Sequence, residues 1–405
     1  MTEARVPGLF RVRNPLKDYA WGSVTAIPDL LGVAESGDPQ AEMWLGAHAA
    51  APSVVEGDAV RLDALIADHP GLLGGSAASG APRLPFLMKV LAAAMPLSLQ
   101  VHPTLDQARA GFARDEAAGL PIDHPQRTYR DDQHKPEIIV AISSFKALCG
   151  FRDPAVAGAE LAELLGGPMR TGVGAELAGV LSEPDPRAAL RGALRLILSG
   201  RPEVRTLAGA ASQAAERSSG RLADTTRIVG AAFGDDPGVL GAALLNRVDL
   251  APGEALYLDA GNIHAYLSGL GIEAMAPSDN VLRGGLTTKH VDVDGLLEIV
   301  DFSPIQPRRV VGQRTHDHGV ALTSYRPPVR EFSVHDIEAS GGPRTLEGIT
   351  GPSMLVVTRG SMRVLAGDEE IVLERGQSAC QAAGPALVVS SLDGPARAYL
   401  TTVGG

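Results

Sequence analysis

The sequence predicts a mainly β protein interrupted by a block of helices, and three observations carry that prediction. From about Arg11 to Arg152, short apolar runs such as APSVVEGD and LPFLMKVL are broken by Gly, Pro and Asp, the punctuation of strands and turns. Around Phe151 the pattern changes to helix-start signals followed by apolar residues at helical spacing, and near Asn246 it returns to strands. The last block, from SMLVVTRG onward, again alternates strand-like runs with glycine turns.

The helical block is read from its starts. Asp153-Pro154 supplies a capping carboxylate and then a residue whose fixed φ suits the first turn, after which Leu161, Leu164 and Leu165 recur at helical spacing. Asp185-Pro186 repeats the signal, with Leu190, Leu194, Ile197 and Leu198 on one helical face, and Asp236-Pro237 gives a third start. VDLAPGEALYLDAGNIHAYL then resumes strands separated by Pro-Gly and Ala-Gly turns. The Pro- and Arg-rich stretch from Pro304 to about Arg330 reads as a linker. The C-terminal block beyond it, with turns at Gly360, Gly367, Gly376 and Gly384, reads as a small jelly roll or barrel.

A chain of 405 residues exceeds the usual size of one hydrophobic core, so two or three domains are expected. No apolar run approaches the roughly 20 residues of a membrane span. The start, MTEARVPGLFRVRNP, lacks the apolar core of a secretory signal, so a cytoplasmic protein with no membrane partner is expected. The net charge of −11 speaks against a nucleic-acid surface and still allows a local basic pocket for one phosphate. Cys149 and Cys380 each sit in an apolar stretch and read as reduced core thiols.

Three segments offer metal-ligand chemistry. In PLSLQVHP, Gln100 and His102 are alternate residues of a strand and point to the same face. In DDQHKPEIIVAI, Glu137 stands with His134 and Lys135 at a strand mouth, and in PGEALYLDAGNIHAY a glycine turn delivers His264. Each segment alone is more often structural than functional. Together they provide one amide oxygen, one carboxylate and two imidazoles, a set that suits Zn²⁺ and also Fe(II), so the residue types leave a zinc enzyme and an iron oxygenase both open. Farther on, GIEAMAPSDNVLRGGLTTKH concentrates Glu273, Asp279, Arg283 and Lys289, of which Arg283 offers a planar fork and Lys289 a point charge to phosphate. The His316-Asp317-His318 run is a weaker metal motif, because it lies in the expected linker without a carboxylate-bearing strand. His48, His69, His124, His290 and His335 receive no role.

Read in order, NPLKDYAWGS, AEMWLGAHAAAPS, LPFLMKVLAAAMPLSLQVHP, DDQHKPEIIVAISSFKALCGFR and AGNIHAYLSGLGIEAMAPSDNVLRGGLTTK resemble the signatures of type I mannose-6-phosphate isomerases. The blocks run from Asn14 to Lys289 in family order. The resemblance implies a discontinuous cupin-type catalytic domain (residues 1–152 and 246–320), an inserted helical domain (153–245) and a C-terminal cupin-like domain without metal (321–405). It also implies one zinc ion on Gln100, His102, Glu137 and His264 and a small sugar phosphate as partner; a monomer is expected. The implied reaction interconverts mannose 6-phosphate and fructose 6-phosphate through a cis-enediol. Arg283 matches a family arginine beside the reacting carbons, while Lys89, Lys135, Glu273 and Asp279 match other polar pocket positions, and the base among them stays open. Ser98 and Lys289 are the phosphate candidates. A sugar-binding cupin without turnover and an Fe(II) cupin dioxygenase are the alternatives. The chain departs from the pattern at Ile263 and Thr288, where proline is common, which puts the local path toward Lys289 in question.

Overall fold

The computed structural model describes residues 7–76, 82–124 and 127–404. Its first sheet is antiparallel, in the order Arg308–Val310, Ala255–Leu258, Glu137–Ala141, His264–Met275, Leu87–Ala93, Glu42–Leu45 and Leu16–Lys17. The 12-residue strand His264–Met275 organises it. Its second half pairs with Leu87–Ala93 and Glu137–Ala141, and its first half pairs with Gln100–Val101 and Phe145–Phe151. The change of partner falls at Gly269, next to a register shift between Tyr266 and Ser268. Gly269 has φ of +125°, and a Cβ there would stand 2.7 Å from the Ser144 carbonyl oxygen, so only glycine lets the strand bend at this point.

Alternation then sorts the side chains. Met88, Val90, Ile138, Val140, Ile272 and Ala274 face a core shared with Val334, Val356 and Tyr399 of the C-terminal part. Their sequence neighbours Leu91, Ile139 and Ala141 belong to a separate core on the opposite face. The polar residues Lys89, Glu137 and Glu273 sit on that second face by parity.

The helical block runs through Pro154–Leu165, Gly172–Leu181, Pro186–Ile197, Pro202–Ala215, Arg221–Phe233 and the short Gly238–Ala243. The expected caps form: Asp153 accepts from the amides of Ala155 and Val156, and Asp185 from that of Arg187. Leu190, Leu194 and Ile197 are buried as their spacing demands. The helices share one core with Leu99, Val101, Ile263, Ala265 and Leu282, so they buttress the strands that carry Gln100, His264 and Arg283. Asn246 anchors the exit, its side-chain amide donating to the carbonyls of Gly150, Phe151 and Ile305.

The C-terminal part packs a larger sheet on a four-stranded one around Val320, Ile337, Leu355, Val364, Leu373 and Leu400. Two features differ from the expectations raised by the sequence. Leu9–Arg13, expected with the first β section, pairs there only with the short Val54–Val55 and on its other side joins Ser378–Gln381 near the other end of the chain. The expected linker from Pro304 to Arg330 is itself strand over Arg308–Val310, Gln313–Asp317 and Val320–Tyr325. Its polar composition reflects an edge position, with every residue of Gln313–Asp317 exposed. The tight turn joining the last two strands has positive φ at His318 and Gly319, as a two-residue hairpin requires.

Candidate active site

The site is built by register. His264 opens the long strand and lies opposite Gln100 on one side and Cys149 on the other, while Arg283 also lies opposite Gln100. Glu137 begins the neighbouring strand. These placements bring three buried ligand atoms, one each from His102, Glu137 and His264, within 4.8 Å of one another. His102 Nε2 is 3.3 Å from Glu137 Oε1, and His264 Nε2 is 3.4 Å from Glu137 Oε2. Both rings are oriented from behind: Nδ1 of His102 donates to the Asn280 carbonyl (2.8 Å) and Nδ1 of His264 to that of Asn262 (2.9 Å).

Those contacts leave both Nε2 atoms turned inward. His102 Nε2 is buried and makes no hydrogen bond, a costly state for a polar atom unless it has another ligand. Burial, reinforced by the charge of Lys135, holds the His102 pKa down to about 4, so the ring is neutral and its lone pair is available to a cation. Against the penalty of burial, Lys135 and His102 hold the Glu137 carboxyl well below the ordinary glutamate range. Gln100 lines a narrow cavity together with Glu137, His264 and Lys135. The donor set of imidazole nitrogens, carboxylate and amide oxygen fits zinc.

A charged cluster adjoins it. Lys89 Nζ is 3.0 Å from Glu273 Oε2 and 3.3 Å from Glu42 Oε1, and Lys135 Nζ is 3.0 Å from Glu137 Oε1. Lys89 faces Glu273 directly across one strand pair and Trp44 across the other. Burial alone would depress the Lys89 ammonium, but Glu273, Glu42 and Glu137 outweigh it and raise its pKa above the usual lysine value. Three carboxylates (Glu42, Glu137, Glu273) thus meet two lysines (Lys89, Lys135), leaving one negative charge uncompensated in a buried space. Accordingly burial, with Glu137 and Glu42 adding repulsion, pushes the Glu273 carboxyl up. A divalent cation would reverse the imbalance.

The remaining candidates stand farther out. Arg283 is half-buried, while Lys289 and Asp279 are exposed and Ser98 is partly buried. Asp279 Oδ1 is 3.5 Å from Nε2 of His48, a histidine that no sequence pattern marked. Burial and the nearby Arg130 lower the Arg283 pKa; Arg283 first, then burial and Arg130, lower that of Lys289. This gathering of cations suits an anion. Sequence reasoning missed Glu42, Arg130 and Asn280. Glu42 could have been found from its two-residue spacing to Trp44, whose indole donates to its Oε2 (2.6 Å), but nothing local marks the other two. The rival His316 and His318 join no metal-binding group among the described residues.

Architecture and site together define a cupin-type enzyme of two β bodies and a helical insert, and comparisons with known proteins agree. Residues 9–154 match the family model for the phosphomannose isomerase type I catalytic domain, and residues 325–369 match that for its C-terminal region. The mannose-6-phosphate isomerase of Escherichia coli is 37% identical over 91% of this chain and 94% of its own length; that of Aspergillus fumigatus is 32% identical over 91% and 90%. A zinc-bound crystal structure of mannose 6-phosphate isomerase superposes with a TM-score of 0.86 at 30% identity, covering 98% of this chain and all of the other. The apo form from Salmonella typhimurium gives the same score and identity over 99% of this chain. The chain belongs to the type I phosphomannose isomerase family and is an isomerase.

Proposed function

We propose that the protein interconverts mannose 6-phosphate and fructose 6-phosphate, with zinc held by Gln100, His102, Glu137 and His264. The observation that carries the reading is the buried, unbonded His102 Nε2 facing Glu137 and the second inward imidazole, beside a lysine–glutamate cluster. Bound zinc would supply Lewis acidity to the sugar carbonyl and the adjoining hydroxyl.

The chain's own residues account for the remaining steps. Aldose–ketose exchange through a cis-enediol moves a proton between C2 and C1 and needs no external oxidant. Glu273 suits that transfer best of the four polar candidates, since burial raises its carboxyl toward the operating pH. Lys89, held as an ammonium, is a poor base and instead stabilises negative charge developing on the sugar oxygens. Lys135 orients Glu137 through their 3.0 Å contact. Asp279, at the exposed rim with His48, orients sugar hydroxyls. Arg283 adds electrostatic support near the reacting carbons, and Lys289 and Ser98, with Arg130 nearby, receive the phosphate.

The proposal extends to a monomeric, cytoplasmic enzyme of three domains, 1–152 with 246–320, 153–245 and 321–405. Two buried thiols without a disulfide and the absence, among the described residues, of any helix long and apolar enough to cross a membrane are in keeping with it. A coupled assay with mannose 6-phosphate, run beside glucose 6-phosphate and unphosphorylated mannose, tests chemistry and phosphate recognition together. Turnover of mannose 6-phosphate alone, lost to a chelator and restored by zinc, is expected. Oxygen consumption with iron and no isomerisation would sink the reading.

A further inference from the structure

We infer that Asn280 is a positioning residue of the metal centre, coupling the orientation of His102 to the segment that delivers Lys135 and Glu137. This rests on the metal reading proposed above. Asn280 is fully buried, and its side chain spans the turn just upstream of those residues. Its Oδ1 accepts from the Arg130 amide (2.8 Å) and, at longer range, from that of Asp131 (3.4 Å). Its Nδ2 donates to the carbonyls of Asp131 (2.8 Å) and Gln133 (2.9 Å) and to Asp131 Oδ1 (3.2 Å). The backbone carbonyl of the same residue accepts from His102 Nδ1 at 2.8 Å.

The two histidines differ in what fixes them. His264 donates to Asn262, two residues back in its own turn, so its tautomer is set locally. The partner of His102 lies 178 residues along the chain. That carbonyl is useful only if the segment carrying it is held against the 130–133 turn, and the Asn280 side chain makes most of the bonds that hold it. Ser278 and Asp131 close the network: Ser278 Oγ donates to Asp131 Oδ1 (2.8 Å), and Asp131 Oδ2 accepts from the Asp279 amide (2.9 Å). With Nδ1 engaged as donor, His102 presents Nε2 toward Glu137 and His264. An amide is required because the site asks for donors and an acceptor in one planar group. In Asn280→Asp the acceptor for Arg130 survives, both carbonyls lose their donor, and a carboxylate is placed beside that of Asp131.

The test uses the full chain, stripped of metal and titrated with zinc against a chromophoric chelator. Zinc affinity about 10–100-fold weaker than that of the unmodified protein is expected for Asn280→Ala and Asn280→Asp. Ser278→Ala, which leaves the amide in place, should keep most of the affinity. A lower apo melting temperature with unchanged zinc affinity would mean a structural role only and overturn the inference. Should the variants not fold, long-range ¹H–¹⁵N spectra of the unmodified apo protein decide: an Nδ1–H tautomer at His102 is expected, and an Nε2–H tautomer refutes the coupling. If the unmodified protein binds no zinc, the metal reading itself falls and takes this inference with it.

Discussion

Lys89 and Arg283 are both cations of the site, yet their environments assign them different work. Lys89 is buried between Glu42 and Glu273, so its removal leaves two buried carboxylates without their ammonium. Lys89→Met should therefore cost about 3–5 kcal/mol of stability, read from denaturant melts, as well as turnover. A stable variant would show that Glu42 and Glu273 share a proton instead. Arg283 is only half-buried and has no carboxylate partner among the described residues, so it contributes little to folding. Arg283→Ala should keep its zinc and its melting temperature while kcat falls on the order of 10²–10³-fold, the scale of losing one electrostatic donor in the transition state. Metal analysis beside steady-state kinetics checks this, and undiminished turnover removes Arg283 from the mechanism.

At the scale of elements, the bend at Gly269 matters most to function. It lets one strand carry His264 in its first half and Glu273 in its second, joining the His102–Glu137–His264 cluster to the lysine–glutamate cluster. With φ of +125° and the Ser144 carbonyl 2.7 Å from a would-be Cβ, Gly269→Val combines backbone strain with a steric clash. A loss of at least about 1–3 kcal/mol is expected. The melting temperature and zinc content should fall together, and a variant that melts normally but binds no zinc would locate the bend's role in the site alone. The helices act more indirectly, since their core is continuous with Leu99, Ile263 and Leu282 behind the ligand strands.

The whole molecule is tied together by its ends, because Leu9–Arg13 completes the C-terminal sheet and the two β bodies share one core. Acid should loosen the C-terminal body through His335. That ring is fully buried between Ser324 Oγ (2.9 Å) and Ser333 Oγ (3.0 Å), and burial pushes its pKa down to about 3 from 6.5. Between those values the unfolded chain binds a proton that the native state refuses, so stability falls as pH drops from about 6.5 toward 3. Melting temperatures across that range should decline less steeply in His335→Gln, and identical slopes would show that other groups dominate.

Much of this molecule is legible along the chain, because caps, turns and period are local physics. Asp153 and Asp185 cap the helices their dipeptides announce. The edge strand Gln313–Asp317 reads as a linker because an exposed edge has the composition of a loop until its partner is known. The place of the first strand is hidden because its longer pairing, with Ser378–Gln381, reaches more than 360 residues along the chain. The residue types of a metal site, and through resemblance its family, were determined by the sequence itself. Only the tertiary structure decided that Glu42 joins Lys89, that Asn280 supports His102, and that Glu273 is the carboxyl pushed upward. Hydrogen-bond partners and burial are properties of segments brought together by the fold, and no local pattern encodes them.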